Sequence, residues 1–439
     1  MTAFHLGDNP SRLTGRLRNL SHHHGGRSLA VVVGGSVNAL GVIRSLGRDN
    51  IPVVCLTPDP NGLAGRSRFT GCVVACPEAY SPGLVPALLE LGPYFEYPPV
   101  LFLTHDFQVQ HVSRARLELQ PHYRFDLPPS DLVDDLLSKT GFFHLARRSG
   151  LPVPGTYIIH SPSELRHFVA RDGQTGSWVV KPHRKDDAFE AHFGKAVRIQ
   201  SPNDWLRVCD IYDRLEVELL VQSWIPGPDT NVTFCLAVFG SDGQCVLSFT
   251  GRKLRQYKPE VGNTAAAEPL WDPQLTADTI HFFARHHLVG IASLEFKSDG
   301  ESGQRYAIEP TIGRSNLQSE LAAVNGHNLP AAYYYGLTGE ADRLERTVAA
   351  ARCAPRHRAW VRFGPDVRSS WHYLKRGQLS PREWIASYLR PVSFAVLRVD
   401  DPAPFLTLAV RTTSQGARRI IARVLGPLLR QLRSGREPG

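Results

Sequence analysis

No stretch of this sequence approaches the ~18 consecutive apolar residues that a membrane-spanning helix needs, which argues against spanning segments. The start of the chain lacks an apolar stretch as well. Met1 to Gly26 is polar and basic, with no hydrophobic run ahead of a cleavage site, and is not read as a signal peptide. Cysteine is sparse and scattered: the seven cysteines stand at 55, 72, 76, 209, 235, 245 and 353. A disulfide framework or a zinc module needs denser, paired spacing, so reduced thiols in a cytoplasmic protein are expected. No module interleaves basic residues with exposed aromatics, and no zinc or helix-turn-helix signature occurs, so no nucleic-acid partner is expected.

What is present is a chain of 439 residues, roughly three domains at about 150 residues each. Hydrophobic residues make up 42% and charged residues 21%, enough to bury cores. The formal charge of +9 leaves anionic partners such as nucleotides or lipids open without choosing among them.

Residues 1–27 read as a flexible lead-in, with His22, His23 and His24 in a solvated tail. From Leu29 the pattern changes. Ala30–Val33 is a buried strand, Gly34-Gly35-Ser36 a turn, Asn38–Leu46 a helix and Ile51–Leu56 a second strand. That is a β-α-β unit with a parallel sheet. Val100–Leu103 is another such strand, ending at Thr104-His105-Asp106, so residues 28–130 read as a doubly wound α/β domain. The Gly34-Gly35 turn does not give G-x-G-x-x-G. It suits either an anion such as a carboxylate at the helix N-terminus or a plain tight turn. A helix is expected over Asp131–Arg148. Strands follow at 156–159, 178–181, 196–199, 218–224, 231–239, 244–249, 292–296 and 306–308, with a helix over 276–287, the pattern of two α+β lobes. Residues 346–439 are richer in Arg. Arg418–Arg433 sets Ile420, Ile421, Val424, Leu425, Leu428, Leu429 and Leu432 at helical spacing among Arg419, Arg423 and Arg430, with a break at Gly426-Pro427. Such a segment either meets an anionic membrane surface or packs on the body with its basic side in water.

The chemistry lies in an ordered set of segments: Lys139 in SKTGFF, Lys181 ending SWVVKP, the apolar strand and turn ELLVQSWIPGPDTNV with Asp229, Glu295 in GIASLEFKSDG, and Glu309 in YAIEPTIGRSNLQ ahead of Arg314 and Asn316. Lysines of this kind neutralise phosphates as point charges. An apolar strand edge receives adenine, and Asp229 just beyond it accepts hydrogen bonds from ribose hydroxyls. Glu295 and Glu309 on neighbouring strands supply the hard oxygens that Mg²⁺ prefers. A transition metal would call for His or Cys, and none lies in these segments.

The set resembles the ATP-grasp superfamily of carboxylate–amine ligases, over roughly residues 28–340. The resemblance implies a preATP-grasp α/β domain (28–130), a first or lid lobe (131–217), a second lobe with the metal site (218–345) and a C-terminal basic amphipathic extension (346–439). It implies ATP and Mg²⁺, or Mn²⁺, as cofactors. It places Lys139, Lys181 and Lys195 on the phosphates, adenine along Gln222, Ser223, Trp224 and Ile225, ribose at Asp229, and the metal on Glu295, Glu309 and Asn316. Arg252, Lys253 and Arg314 would stabilise the acyl phosphate or the transferring phosphoryl group, with Arg255 beside them. Two departures stand out. The usual E-x-N-x-R ending has Thr311 where Asn belongs, so either Asn316 takes the Asn role or Thr311 substitutes. The phosphate-covering loop PHRKDDAFEAHFGKAVRI has a single glycine, with Lys185 and Lys195 in place of backbone amides. GRKLRQ and EPTIGRSNLQSE are similar to ligases that join amino acids or modify cell-envelope precursors, D-aspartate ligases among them. The resemblance implies small-molecule carboxylate and amine substrates. Alternatives at this stage are an ATP-grasp kinase or carboxylate–thiol ligase, and a nucleotide-binding scaffold without turnover at a membrane surface.

Overall fold

The computed structural model describes residues 4–5, 10–173, 175–184, 186–215, 217–354 and 357–412. Lys185 and the whole of Arg418–Arg433 fall outside them. Three sheets organise the chain.

The first sheet is parallel. Its strands are β1 (Phe4–His5), β2 (Ala30–Val33), β3 (Val53–Thr57), β4 (Cys72–Ala75) and β5 (Val100–Phe102), in the order β1-β4-β3-β2-β5. β2 to β5 are buried at every position, the consequence of helices covering both faces, and hence the Val-rich runs. After β2 the chain turns at Gly34, whose φ is +122° and where a Cβ would stand 2.6 Å from Thr104 Oγ1; only glycine fits there. Ser36 then caps the helix Val37–Arg48, accepting from the Ala39 N–H. The expected flexible lead-in is corrected over most of its length. Pro10–His23 is a helix whose Leu13 and Leu17, one turn apart, are buried in the core of this sheet.

The second sheet is antiparallel. β6 (Thr156–Ile159), β7 (Trp178–Pro182), β8 (Val197–Ile199) and β9 (Leu219–Ser223) lie in the order β6-β9-β7-β8. They pack on a core of their own that includes Phe168, Trp178, Trp205 and Tyr212. The helix expected over Asp131–Arg148 is two, Ser130–Leu137 and Lys139–Arg148. Ser138 interrupts them in extended conformation and its hydroxyl accepts from Gly141 N–H, the competition with helix that makes Ser a cap. Lys139 is thereby the first residue of the second helix.

The third sheet has seven strands, in the order β14-β13-β10-β11-β12-β15-β16. They are β10 (Val232–Phe239), β11 (Cys245–Tyr257), β12 (Asn263–Pro269), β13 (Gly290–Ser298), β14 (Arg305–Ile312), β15 (Ala359–Val361) and β16 (Val392–Phe394). All pairs are antiparallel except β15 with β16. The expected extension beginning at 346 is thus, up to 394, an integral part of this sheet. β15 and β16 extend its edge, and the helices Phe363–Lys375 and Pro381–Leu389 join them. β11 continues eight residues past its expected end at 249. Among the described residues no helix is long and apolar enough to cross a membrane.

Candidate nucleotide and metal site

The candidate residues lie on β7 and β9 of the four-stranded sheet, on β11, β13 and β14 of the seven-stranded sheet, and just past the carboxyl end of β5 in the first. Lys181 lies near the end of β7, and its Nζ donates to Gln222 Oε1 on β9 at 3.0 Å. Gln222 in turn donates to Thr156 Oγ1 at 2.9 Å. Burial pushes the Lys181 ammonium down to about 8, with Glu309 pulling the other way. Lys139 is lowered too, by burial first, against the pull of Glu309. Both lysines therefore share one carboxylate as electrostatic neighbour, although they are 42 positions apart in the chain. Lys195 also acts on Lys139 and Asp106, and its Nζ donates to Asn263 Oδ1 at 2.8 Å. Lys139 and Lys181 thus lie beside Glu309, and Lys195 lies beside Lys139.

The hinge after β9 is ordered by its backbone. Ser223 N–H donates to Gly155 O at 2.8 Å and Trp224 N–H to Ser177 O at 2.7 Å, while Ile225 is buried. The Trp224 ring is approached by Arg198 at 4.3 Å and Lys297 at 4.2 Å from its centroid, contacts that commit the indole face to cations. Asp229 is buried. Its Oδ2 accepts from Glu260 N–H at 2.9 Å and from the Tyr373 hydroxyl, and its Oδ1 is buried without a hydrogen-bond partner. In this conformation the carboxylate expected at the ribose is held by the protein.

Glu295 on β13 and Glu309 on β14 are paired in register. Glu309 is exposed. Glu295 is largely buried: Oε2 accepts from Lys253 Nζ at 2.7 Å and Oε1 from Gln318 Nε2 at 3.1 Å. Asn316 donates to Ser293 Oγ at 2.8 Å, while its Oδ1 accepts from Gln318 N–H at 3.1 Å. Among the described residues no group of three or more His, Cys, Asp or Glu is arranged to hold a metal. The donor set fits a cation bound chiefly by nucleotide phosphates with Glu309 as an open hard ligand.

The basic residues of β11 separate. Lys253 is buried and faces Glu295, whereas the neighbouring Arg252 points to the opposite side and pairs with Glu268 at 2.6 Å, as alternation along a strand demands. Arg255 is buried against Asp366 at 2.6 Å. Arg314 reaches back to the first sheet, its Nη2 donating to Asp106 Oδ2 at 3.1 Å. Burial works against the Asp106 charge, but Arg314 outweighs it and holds the carboxyl below its ordinary range. Sequence reasoning missed Gln318, Tyr373, Arg198 and Lys297. Gln318, two residues past Asn316, was within reach of the same motif; the others carried no local signal.

No protein-family profile matches the chain. A D-aspartate ligase of Enterococcus faecium (strain Aus0004) is 22% identical over 238 residues, 52% of this chain and 56% of that ligase. The chain thus matches little more than half the length of this curated relative. Among solved structures, biotin carboxylase from Campylobacter jejuni in a β,γ-ATP complex aligns with a TM-score of 0.56 at 13% identity, covering 71% of each chain. An ADP complex of N5-carboxyaminoimidazole ribonucleotide synthetase aligns at 0.55 and 13% identity, covering 72% of this chain and 77% of that one. An L-amino acid ligase from Bacillus licheniformis aligns at 0.52 and 13%, covering 71% and 74%. Likeness at this identity speaks to fold.

Proposed function

Since the chain has the ATP-grasp fold and resembles carboxylate–amine ligases, we propose that it is an ATP-dependent ligase that joins a carboxylate to an amine. The observation that supports this reading is that Lys139 and Lys181 share Glu309 as electrostatic neighbour, with Lys195 beside Lys139 and Glu309 in register with Glu295. ADP and ATP-analogue complexes among the structural relatives support nucleotide as the ligand of that cleft.

The reaction follows from the groups. A substrate carboxylate oxygen attacks the γ-phosphorus of ATP, the bond to the β–γ bridging oxygen breaks, and ADP leaves an acyl phosphate behind. An amine then attacks the acyl carbon, phosphate departs with the C–O electron pair, and nitrogen loses a proton to give the amide. Such chemistry needs positioning and charge neutralisation rather than a protein nucleophile. Lys139, Lys181 and Lys195 would neutralise the phosphates, and Lys253, with Arg314 held at the edge of the first sheet, would face the developing charge. A divalent cation held by Glu309, when bound, supplies further neutralisation of the phosphates. The carboxyl end of β5, with His105 and Asp106, lies where open α/β sheets place ligands and is assigned to the carboxylate substrate. The likeness to a D-aspartate ligase favours an amino acid or a cell-envelope precursor.

Incubating the protein with Mg·ATP, pooled amino acids and polyamines, and identifying products by mass spectrometry, tests the assignment. ADP with a new amide for a specific acid–amine pair is the expected result. Glu309→Ala is expected to lower that turnover at least ~100-fold while the circular dichroism spectrum is kept. AMP as product means adenylation and overturns the mechanism.

A peripheral contact with an anionic membrane is proposed on sequence alone. The last 27 residues carry six Arg against one Glu, five of the nine net charges of the chain. Removing residues 413–439 is expected to abolish co-sedimentation with phosphatidylglycerol vesicles; unchanged binding rejects the contact.

A further inference from the structure

Two carboxylates face each other across β13 and β14, and their surroundings are unlike. Glu309 is open. Glu295 is not: its side chain is 14% exposed, and the Lys253 ammonium, 6% exposed, sits 2.7 Å from one of its oxygens. Gln318 donates to the other oxygen and is itself braced by Thr264 Oγ1 at 2.8 Å. Lys253 is fixed from a second side, donating to Gln256 Oε1 at 3.1 Å. Asn316, the remaining side-chain carbonyl of the motif, accepts from Gln318 N–H, and position 311 is a threonine. A second divalent cation between these strands would need oxygens from Glu295 and Asn316. Both are already engaged, and a buried ammonium at hydrogen-bond distance repels any cation that approaches the same carboxylate.

We propose that Lys253 takes the place of a second metal: the nucleotide complex of this protein holds one divalent cation, on Glu309, while the Lys253–Glu295 pair supplies a fixed positive charge beside it. The inference rests on the nucleotide site proposed above. Its physical content is a change of ligand chemistry. An ammonium gives hydrogen-bond donors in fixed directions and stays after product leaves, whereas a hexacoordinate cation arrives with, and departs on, phosphate oxygens.

The test counts metal. The chain is saturated with a non-hydrolysable ATP analogue, whose binding is first established by calorimetry, and Mn²⁺ is titrated and followed by electron paramagnetic resonance. One Mn²⁺ per bound nucleotide, with no spin–spin broadening up to millimolar metal, is expected. Lys253→Met frees the Glu295 carboxylate and is expected to raise the count to two, with dipolar broadening, whereas Lys253→Arg keeps it at one. Two manganese ions in the unaltered protein overturn the proposal without touching the nucleotide site, and this measurement stands whether or not a variant folds. A count of one in a folded Lys253→Met variant overturns it as well. Failure of the analogue to bind overturns the nucleotide reading, and this proposal with it.

Discussion

Lys181 is the residue whose protonation the fold has altered most usefully. Burial lowers its ammonium to about 8, Glu309 resists, and the neighbouring Lys139 and Lys297 lower it further. Below pH 7 the side chain is charged, and it gives up its proton as the pH rises past about 8. An arriving phosphate favours the charged form. Nucleotide binding at pH 8.5 is therefore expected to take up a proton, and binding at pH 6.5 not to. Calorimetry in buffers of different ionisation enthalpy measures the uptake directly, and Lys181→Met is expected to remove it. At this scale the sequence was informative where a residue's role followed from its strand. Glu295 and Glu309 are expected on neighbouring antiparallel strands, and β13 and β14 pair them in register. It was uninformative where a partner decides the environment. Asp229 reads as an open acid next to a turn, yet Tyr373, 144 positions later, closes it off. Arg252 and Lys253 read alike, and the face of β11 each occupies sends one to Glu268 and the other to Glu295.

At the scale of elements, β11 and the helix Phe363–Lys375 form one unit. Ser369 donates to Gln256 O, Gln256 N–H donates to the Tyr373 hydroxyl at 3.1 Å, and Arg255 pairs with Asp366. Two adjacent residues of one strand, Arg255 and Gln256, are thus met by three polar positions at 366, 369 and 373, one turn apart on the helix. Tyr373→Phe removes the donor to Asp229 and the acceptor for Gln256, leaving both buried and under-satisfied. It is expected to lower the unfolding free energy by about 1–3 kcal/mol, read as a reduced urea midpoint at unchanged m. The same unit explains why the strand's far half was legible only through the family resemblance. GRKLRQ is basic with little apolar content, and a strand whose inward residues are ionic gives no period-two hydrophobic signal. β15 and β16, three residues each, are too short for any pattern to mark. Three of the five strands of the parallel sheet, β2, β3 and β5, were legible as continuous apolar runs, whereas β1 and β4 were not read.

At the scale of the molecule, one buried knot ties the first sheet to the end of the described chain. Arg44, fully buried on the helix Val37–Arg48, donates through Nε to Asp401 Oδ2 at 2.9 Å and through Nη1 and Nη2 to the carbonyls of Ala395 and Val396. Asp401 also accepts from Ser67 Oγ and Arg68 N–H. Glu320, fully buried at 3.7 Å from Arg44 and hydrogen-bonded by Trp360 Nε1, brings in the seven-stranded sheet. Asp401→Ala takes the nearest carboxylate from a buried guanidinium and is expected to cost about 3–5 kcal/mol, measured by equilibrium denaturation. The knot also sets a clock on biosynthesis. Arg44 leaves the ribosome 357 residues ahead of Asp401, an interval of roughly 20–70 s at 5–20 residues per second. Until it ends, Arg44 has Glu320 at 3.7 Å as its one carboxylate neighbour within the knot, and the packing of the first domain is completed only when the chain around Asp401 arrives.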